Sequence, residues 1–449
     1  VMSDGTKFCP GPVSRRSFIE MGGTACGLGL AGLLEAQAKS APKGTPGKDT
    51  SVIFVWLPGG PPHMEMYDMK PEAPKEYRGD FMPIKTNVPG MEVCELFPRH
   101  AKIADKFNII RSIHHDFADH GGGHKRFLTG RKPATPTGTL NNTPCVGSMA
   151  SAVMDGTRDT KGLPNYVVMG NNRVNSVDTF AFGSAYLGAH THPFRVSADP
   201  SLPNFKVDNV SLDRAMTDRL GDRNTLLNGF DNLRRDVDAS GLLGSMDIFN
   251  RKAMEMMTSP KVREAFDLSK EKQSMRERYG MNRFGQCCLL ARRLVENGVR
   301  FVTLNSFLTV FDQLSWDIHG SKPFMSIKQM AEIIAPMYDQ GYSALIEDLH
   351  ERGLLDNTLV TTLSEFGRTP KMNPAGGRDH WPQCFTCSFA GGGIKGGRVV
   401  GKSDPVGGFP AERPVDPSDV VATIFHSLGL DHKATLPGPA GRPFPLVDF

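Results

Sequence analysis

Asp317 and His319 stand two residues apart in Trp316-Asp317-Ile318-His319-Gly320. In extended chain, residues i and i+2 project to one face. A carboxylate beside an imidazole suits a divalent metal such as zinc, manganese or iron, with calcium a further candidate. A second group is Ser364-Glu365-Phe366-Gly367-Arg368, followed after a Pro/Gly-rich loop by Arg378-Asp379-His380-Trp381. Either pair alone, Glu365 with Arg368 or Asp379 with His380, also reads as surface polarity. Two acidic-and-histidine groups in one chain point to a metal site. A third group runs from His114 to His124 and holds four of the chain's 13 histidines, two aspartates and three glycines. There His120 and His124 are the candidates, while His114 and His115 read as strand-end polarity. A fourth, His63 and Asp68, follows Pro58-Gly59-Gly60-Pro61-Pro62, a turn of the kind that marks close backbone approach.

Elements that would position these residues are legible around them. Ser51–Leu57 is a continuous apolar run of strand length and reads as a buried parallel strand. Asn108–Ile113, Asn165–Met169, Val299–Leu304 and the β-branched run that ends before Ser364 read as further strands. Phe385–Phe389 and Arg398–Val400 follow. Helices are expected over Leu96–Phe107, Lys125–Arg131, Phe284–Asn297, Ser418–Leu428 and Met325–Arg352, the last with a kink at Pro336. Alternating strands and helices build a parallel sheet, and ligands bind outside the carboxyl ends of its strands. The candidate groups after Leu57, Ile113, Leu304 and Leu363 all fall there. Residues 208–280 are largely helical in pattern and read as an inserted layer.

The chain's 449 residues, 39% hydrophobic and 22% charged, suit one large α/β domain. A net charge of +4 with no long basic run implies no nucleic-acid partner. Ser14-Arg15-Arg16-Ser17-Phe18-Ile19, a short Gly-rich apolar run and Ala36-Gln37-Ala38 read as a cleavable twin-arginine (Tat) export signal over residues 1–38, with 39–50 as a linker. The apolar run is too short for a stable membrane span. A periplasmic or secreted protein carried by the Tat machinery is the expectation. Among eight cysteines, Cys384 and Cys387 form the only C-x-x-C, in an apolar run that suits buried small side chains better than a redox pair.

The twin-arginine signal, the Gly-Gly-Pro-Pro-His63 turn with Asp68, Thr129-Gly130-Arg131, Asp317-Ile318-His319-Gly320 and Ser364-Glu365-Phe366-Gly367-Arg368-Thr369-Pro370 together resemble a Tat-exported, sulfatase-like family catalogued as a domain of unknown function within the alkaline phosphatase superfamily. The resemblance implies a doubly wound, mostly parallel sheet with helices on both faces and a metal centre at the strand ends. Asp317, His319 and His380 would be metal ligands, with Glu365 and Asp379 completing or bridging the set. Phe366 stands where the pattern has a histidine ligand, and Gly59-Gly60 where it has two aspartates, which favours a single metal. No Cys, Ser or Thr lies between Asp116 and Leu128, where the nucleophile belongs. The expected activity is metal-dependent hydrolysis of a sulfate or phosphate ester by water. His120 or His124 would act as general acid, Arg131 or Arg368 would neutralise the anionic ester, and His63 and Asp68 would touch substrate. A sulfated polysaccharide is the family-level substrate. The alternative is a binding or scaffold protein that kept the fold without the chemistry.

Overall fold

The computed structural model describes residues 49–137, 141–155, 160–170, 182–207, 210, 251–306, 314–439 and 442–448. Residues 1–38, expected as the export signal, most of the linker, and residues 208–209 and 211–250 of the expected insertion lie outside them. Strands β1 (Ser51–Trp56), β2 (Phe107–Ile113), β3 (Tyr166–Met169), β4 (Phe194–Val196), β5 (Phe301–Asn305) and β6 (Thr358–Leu363) share one sheet with two later strands. Two-residue strands β7 (Gly367–Arg368) and β8 (His380–Trp381) pair with each other instead. With β9 (Phe385–Ala390) and β10 (Val399–Val400), the eight-stranded order is β10-β2-β9-β6-β1-β5-β3-β4. Only β9 runs antiparallel to its neighbours.

β1 is buried at every position because both of its faces are covered. Val52, Phe54 and Trp56 enter one core with helices α2 (Val146–Met154) and α5 (Pro417–Ser427). Ile53, Val55 and Leu57 enter the other with α3 (Arg283–Glu296) and α4 (Ala335–Glu351). The period-two alternation of a strand thus feeds two cores, which is the expected doubly wound α/β class. The run ahead of Pro336 forms a five-residue π turn, Met330–Ile334, after which α4 restarts with proline in its first turn, where no amide donor is needed. The helix expected over Leu96–Phe107 shrinks to Pro98–Lys102 and a 3-10 turn, since Phe107 joins β2.

Helix α1 is His120–Thr129, beginning five residues before the expected start. Asp119 caps it, with Oδ1 accepting from Gly122 N at 2.7 Å. Its glycines serve close packing rather than freedom of movement. A Cβ on Gly123 would stand 2.7 Å from Glu365 O, so only glycine lets α1 lie against the end of β6. β1, β2, β5 and β6 run in the same direction, so the segments that follow them emerge at one edge of the sheet.

Candidate metal centre

Asp317 and Glu365 are both fully buried at that edge. Three imidazoles cover them, and the His120, His319 and His380 side chains are 22%, 20% and 21% exposed. Each ring is pinned through Nδ1. His319 Nδ1 faces Asp379 Oδ1 at 2.9 Å, His380 Nδ1 faces Ala118 O at 2.8 Å, and His120 Nδ1 faces Glu365 Oε1 at 2.8 Å. Carboxylates and carbonyls only accept, so all three Nδ1 atoms carry the proton. This leaves the Nε2 lone pairs pointing inward, where they converge on Asp317. His319 Nε2 is 2.9 Å and His380 Nε2 3.4 Å from Oδ1, and His120 Nε2 is 3.4 Å from Oδ2.

The two facing nitrogens, His319 Nε2 and His380 Nε2, are 3.1 Å apart. One imidazolium N–H shared between the other ring and Asp317 Oδ1 would join the three atoms, and a divalent cation between them would do so as well. Donors bonded at 2.0–2.1 Å around a tetrahedral ion stand about 3.3 Å apart, the spacing seen here. Asp317 Oδ2 is buried without a well-formed hydrogen bond. The donor set therefore fits a divalent ion held by Asp317, His319 and His380. Burial, the largest influence on Asp317, pushes its carboxyl up, but contacts with His120, His319 and His380 and the charge of Arg368 together hold it far below the carboxylate range.

Asp379 lies outside this ring. Exposed, it accepts from His319 Nδ1 and Asn373 Nδ2, so it orients a ligand rather than binding the ion. Glu365 likewise faces His120: Oε1 accepts from Gly59 N at 2.8 Å and Oε2 from Ser364 Oγ at 2.9 Å. Metal-capable atoms also come together in two sets that share His120: His120, Asp317 and His380, and His120, His124 and Glu365. Using His120 Nδ1 there would break its hydrogen bond to Glu365. His124 is fully buried against Trp56, 5.3 Å between ring centroids, and does not reach the mouth of the site as a general acid would have to.

Four other expected residues are committed to contacts within the protein. Arg131 follows the far end of α1, about 16 Å along the helix from His120 at 1.5 Å per residue. There it stacks on Phe444 and binds Pro445 O. Arg368 is fully buried with every nitrogen committed to protein oxygens. His63 is buried with Nε2 against Gly407 O at 2.8 Å. Asp68 is buried and spends its oxygens on Lys70 and Ser403. His63 and Asp68 were read from a turn, Arg131 and Arg368 from the motifs that carry the resemblance.

His115, read as strand-end polarity, belongs to the site's support. Phe117 N donates to its Nδ1 at 3.0 Å, so Nε2 carries the proton and donates to Glu365 O at 2.7 Å. Burial pushes this imidazole down to about 4. Phe366 fills the place of a ligand with a ring stacked on His380, centroids 4.1 Å apart. Glu65, which carried no signal of its own in sequence, takes two hydrogen bonds from buried Arg378, at 3.0 and 2.6 Å. That pair ties down the loop leading to His380.

A family model described as "Protein of unknown function (DUF1501)" matches residues 49–449. The chain belongs to this family. No curated protein matches the sequence. Among solved structures, the DUF1501 chain is similar to the lipoteichoic acid synthase LtaP from Listeria monocytogenes, at 10% identity over 93% of this chain and 80% of that one, with a TM-score of 0.38. It is also similar to the PsFucS1 sulfatase from Pseudoalteromonas sp., at 13% identity over 89% and 72%, with a TM-score of 0.36. A third is the phosphonate monoester hydrolase SpPMH from Silicibacter pomeroyi, at 11% identity over 85% and 74%, with a TM-score of 0.39. No helix among the described residues is long and apolar enough to cross a membrane.

Proposed function

We propose that this DUF1501 protein is an exported metal-dependent hydrolase of sulfate or phosphate esters. The observation that carries this reading is the convergence of three Nδ1-pinned imidazoles on buried Asp317, with His319 Nε2 and His380 Nε2 3.1 Å apart. Imidazole nitrogens favour zinc or manganese over calcium, which prefers an all-oxygen shell. A divalent ion there supplies the charge that polarises an ester oxygen and makes water a nucleophile near neutral pH.

The chain's own residues do the rest. Asp317, His319 and His380 hold the ion, and Asp379 and Ala118 O keep the rings facing it. His120 Nε2, at the accessible rim, carries the proton to and from the reacting oxygen. Glu365 accepts from its Nδ1–H and stabilises the imidazolium, as a carboxylate does behind a catalytic histidine. Ser364 donates its hydroxyl to Glu365 Oε2, which holds that carboxylate in place behind His120. The twin-arginine segment supports export through the Tat machinery to the periplasm or beyond, and a sulfated polysaccharide is the substrate class to try first.

The test is turnover of aryl sulfate and aryl phosphate esters, then of sulfated polysaccharides, by protein stripped with a chelator and reloaded with zinc or manganese. Turnover that disappears on stripping and returns on reloading is expected. Metal-loaded protein inert on every ester, yet retaining anionic glycans, would replace the hydrolase with the binding-protein reading.

A further inference from the structure

Burial does not fix the carboxylate of Asp379, which is exposed. Asn373, in the loop between β7 and β8, holds it instead. Asn373 Nδ2 donates to Asp379 Oδ1 at 3.0 Å and to His319 O at 3.1 Å. Its Oδ1 accepts from Ala375 N at 3.0 Å and from Gly377 N at 2.9 Å. Carboxylates and carbonyls only accept, and backbone N–H groups only donate, so these four partners fix which end of the amide is nitrogen. One half-buried side chain thus grips the backbone of His319 together with the acceptor behind its ring, Asp379 Oδ1, 2.9 Å from His319 Nδ1.

The loop is shaped to bring Asn373 there. Asn373 N donates to Gly377 O at 2.8 Å and Gly376 N to Asn373 O at 3.0 Å, which closes a tight turn over Pro374-Ala375-Gly376. Arg378 N donates to Ile318 O at 2.9 Å and lays that turn along the Ile318-His319-Gly320 backbone. The two segments meet too closely for side chains. A Cβ on Gly377 would overlap the His319 backbone, and one on Gly320, at φ +90°, would stand 2.5 Å from Ala375 O. On the outer side, Met372 N donates to Glu76 O at 2.8 Å and ties the loop down.

We propose that Asn373 is a positioning residue for the metal centre, setting the direction of His319 Nε2 through Asp379 and through the His319 carbonyl. This rests on the reading of His319 as a metal ligand. A ligand nitrogen points where its backbone and the partner of its other ring nitrogen send it, and Asn373 holds both.

The experiment compares the parent, Asn373→Asp and Asn373→Ala by zinc competition titration, with circular dichroism to check the fold. Asn373→Asp keeps an acceptor for Ala375 N and Gly377 N, so the turn survives. It loses the donor and sets a second carboxylate against Asp379. Its zinc affinity should fall about 10–100-fold, at least as far as that of Asn373→Ala. Parent-like affinity in Asn373→Asp would overturn the proposal, because Asn373 would then serve only the turn. In an Asp379→Ala background, Asn373→Asp should lose most of its effect, and an undiminished loss there would also overturn it. If Asn373→Asp does not fold, Asn373→Ala in that background decides in its place. A second readout needs no metal. By NMR on protein with isotope-labelled histidine, the His319 Nδ1–H proton should be sharp in the parent and broadened by exchange in Asn373→Asp. A signal equally sharp in both would contradict the proposal. A parent that binds no zinc while this signal responds as expected would sink the metal reading alone.

Discussion

Two charged clusters among the described residues are built on opposite terms. Between α3 and α4, Arg292 meets Glu271, Glu296 and Asp348 at 2.9, 2.7 and 2.8 Å. Arg293 meets Glu271 at 2.6 Å, and Arg352 meets Asp348 and Glu296 at 2.8 and 2.9 Å. Three guanidinium groups face three carboxylates, and the network closes on itself. At the strand ends, Asp317 and Glu365 face one guanidinium, and imidazole nitrogens turn lone pairs toward the same carboxylate. The first cluster pairs its charges within the protein. The second gathers imidazole nitrogens and carboxylates in a set that a further cation would fit.

The comparison can be broken at either end. The largest effect is expected at the open cluster. His120→Ala should lower ester turnover by about 10²–10⁴-fold, the usual worth of a positioned proton carrier, while metal content stays at the parent level. Loss of metal together with activity would make His120 a ligand. In the closed cluster, Arg292→Met leaves Glu271 and Asp348 short of a partner and should cost about 3–5 kcal/mol in urea denaturation, with metal content unchanged. An equal change in metal binding would mean that the two clusters are coupled.

A third expectation concerns a closed contact that titrates. Burial, the first cause, pushes His63 down to about 4 from 6.5. The unfolded chain therefore takes up this proton first. The contribution to stability is whole above pH 6.5 and is lost as pH falls toward 4, by up to about 3 kcal/mol at 1.36 kcal/mol per unit. Urea melts of the parent and His63→Gln between pH 7 and 4.5 should converge as the pH drops. Parallel curves would mean that His63 is not a buried neutral ring. The smallest effect is expected from Asp379→Asn, which weakens the acceptor behind His319. Metal affinity should fall about 10–100-fold in a competition titration, and a complete loss would make Asp379 a ligand after all.

Much of the frame was legible because strand patterning and strand ends are local properties. β1 and β6 could be read from apolar and β-branched runs, and the residues after them fell at the edge where ligands bind. Asp317 and His319 do meet, although in an irregular segment rather than a strand. Contacts made across the fold were not legible. Nothing near Ala118 announces that its carbonyl fixes the His380 ring, and nothing near Gly59 shows that its amide binds Glu365. Composition cannot reveal that the end of β6 passes against the glycines of α1. Arg368, His63 and Asp68 were read as available because sequence shows a charge but not what encloses it. Glu65 and Arg378 illustrate the same limit, since their pairing spans 313 residues.

The proposal stands on a cation held by Asp317, His319 and His380. It is tested by the metal content of the parent, purified from cells grown with zinc and manganese, beside an Asp317→Ala/His319→Ala double variant. Close to one ion per chain in the parent, and none in a folded variant, is expected. A well-folded parent without metal, or a variant that keeps it, would contradict it.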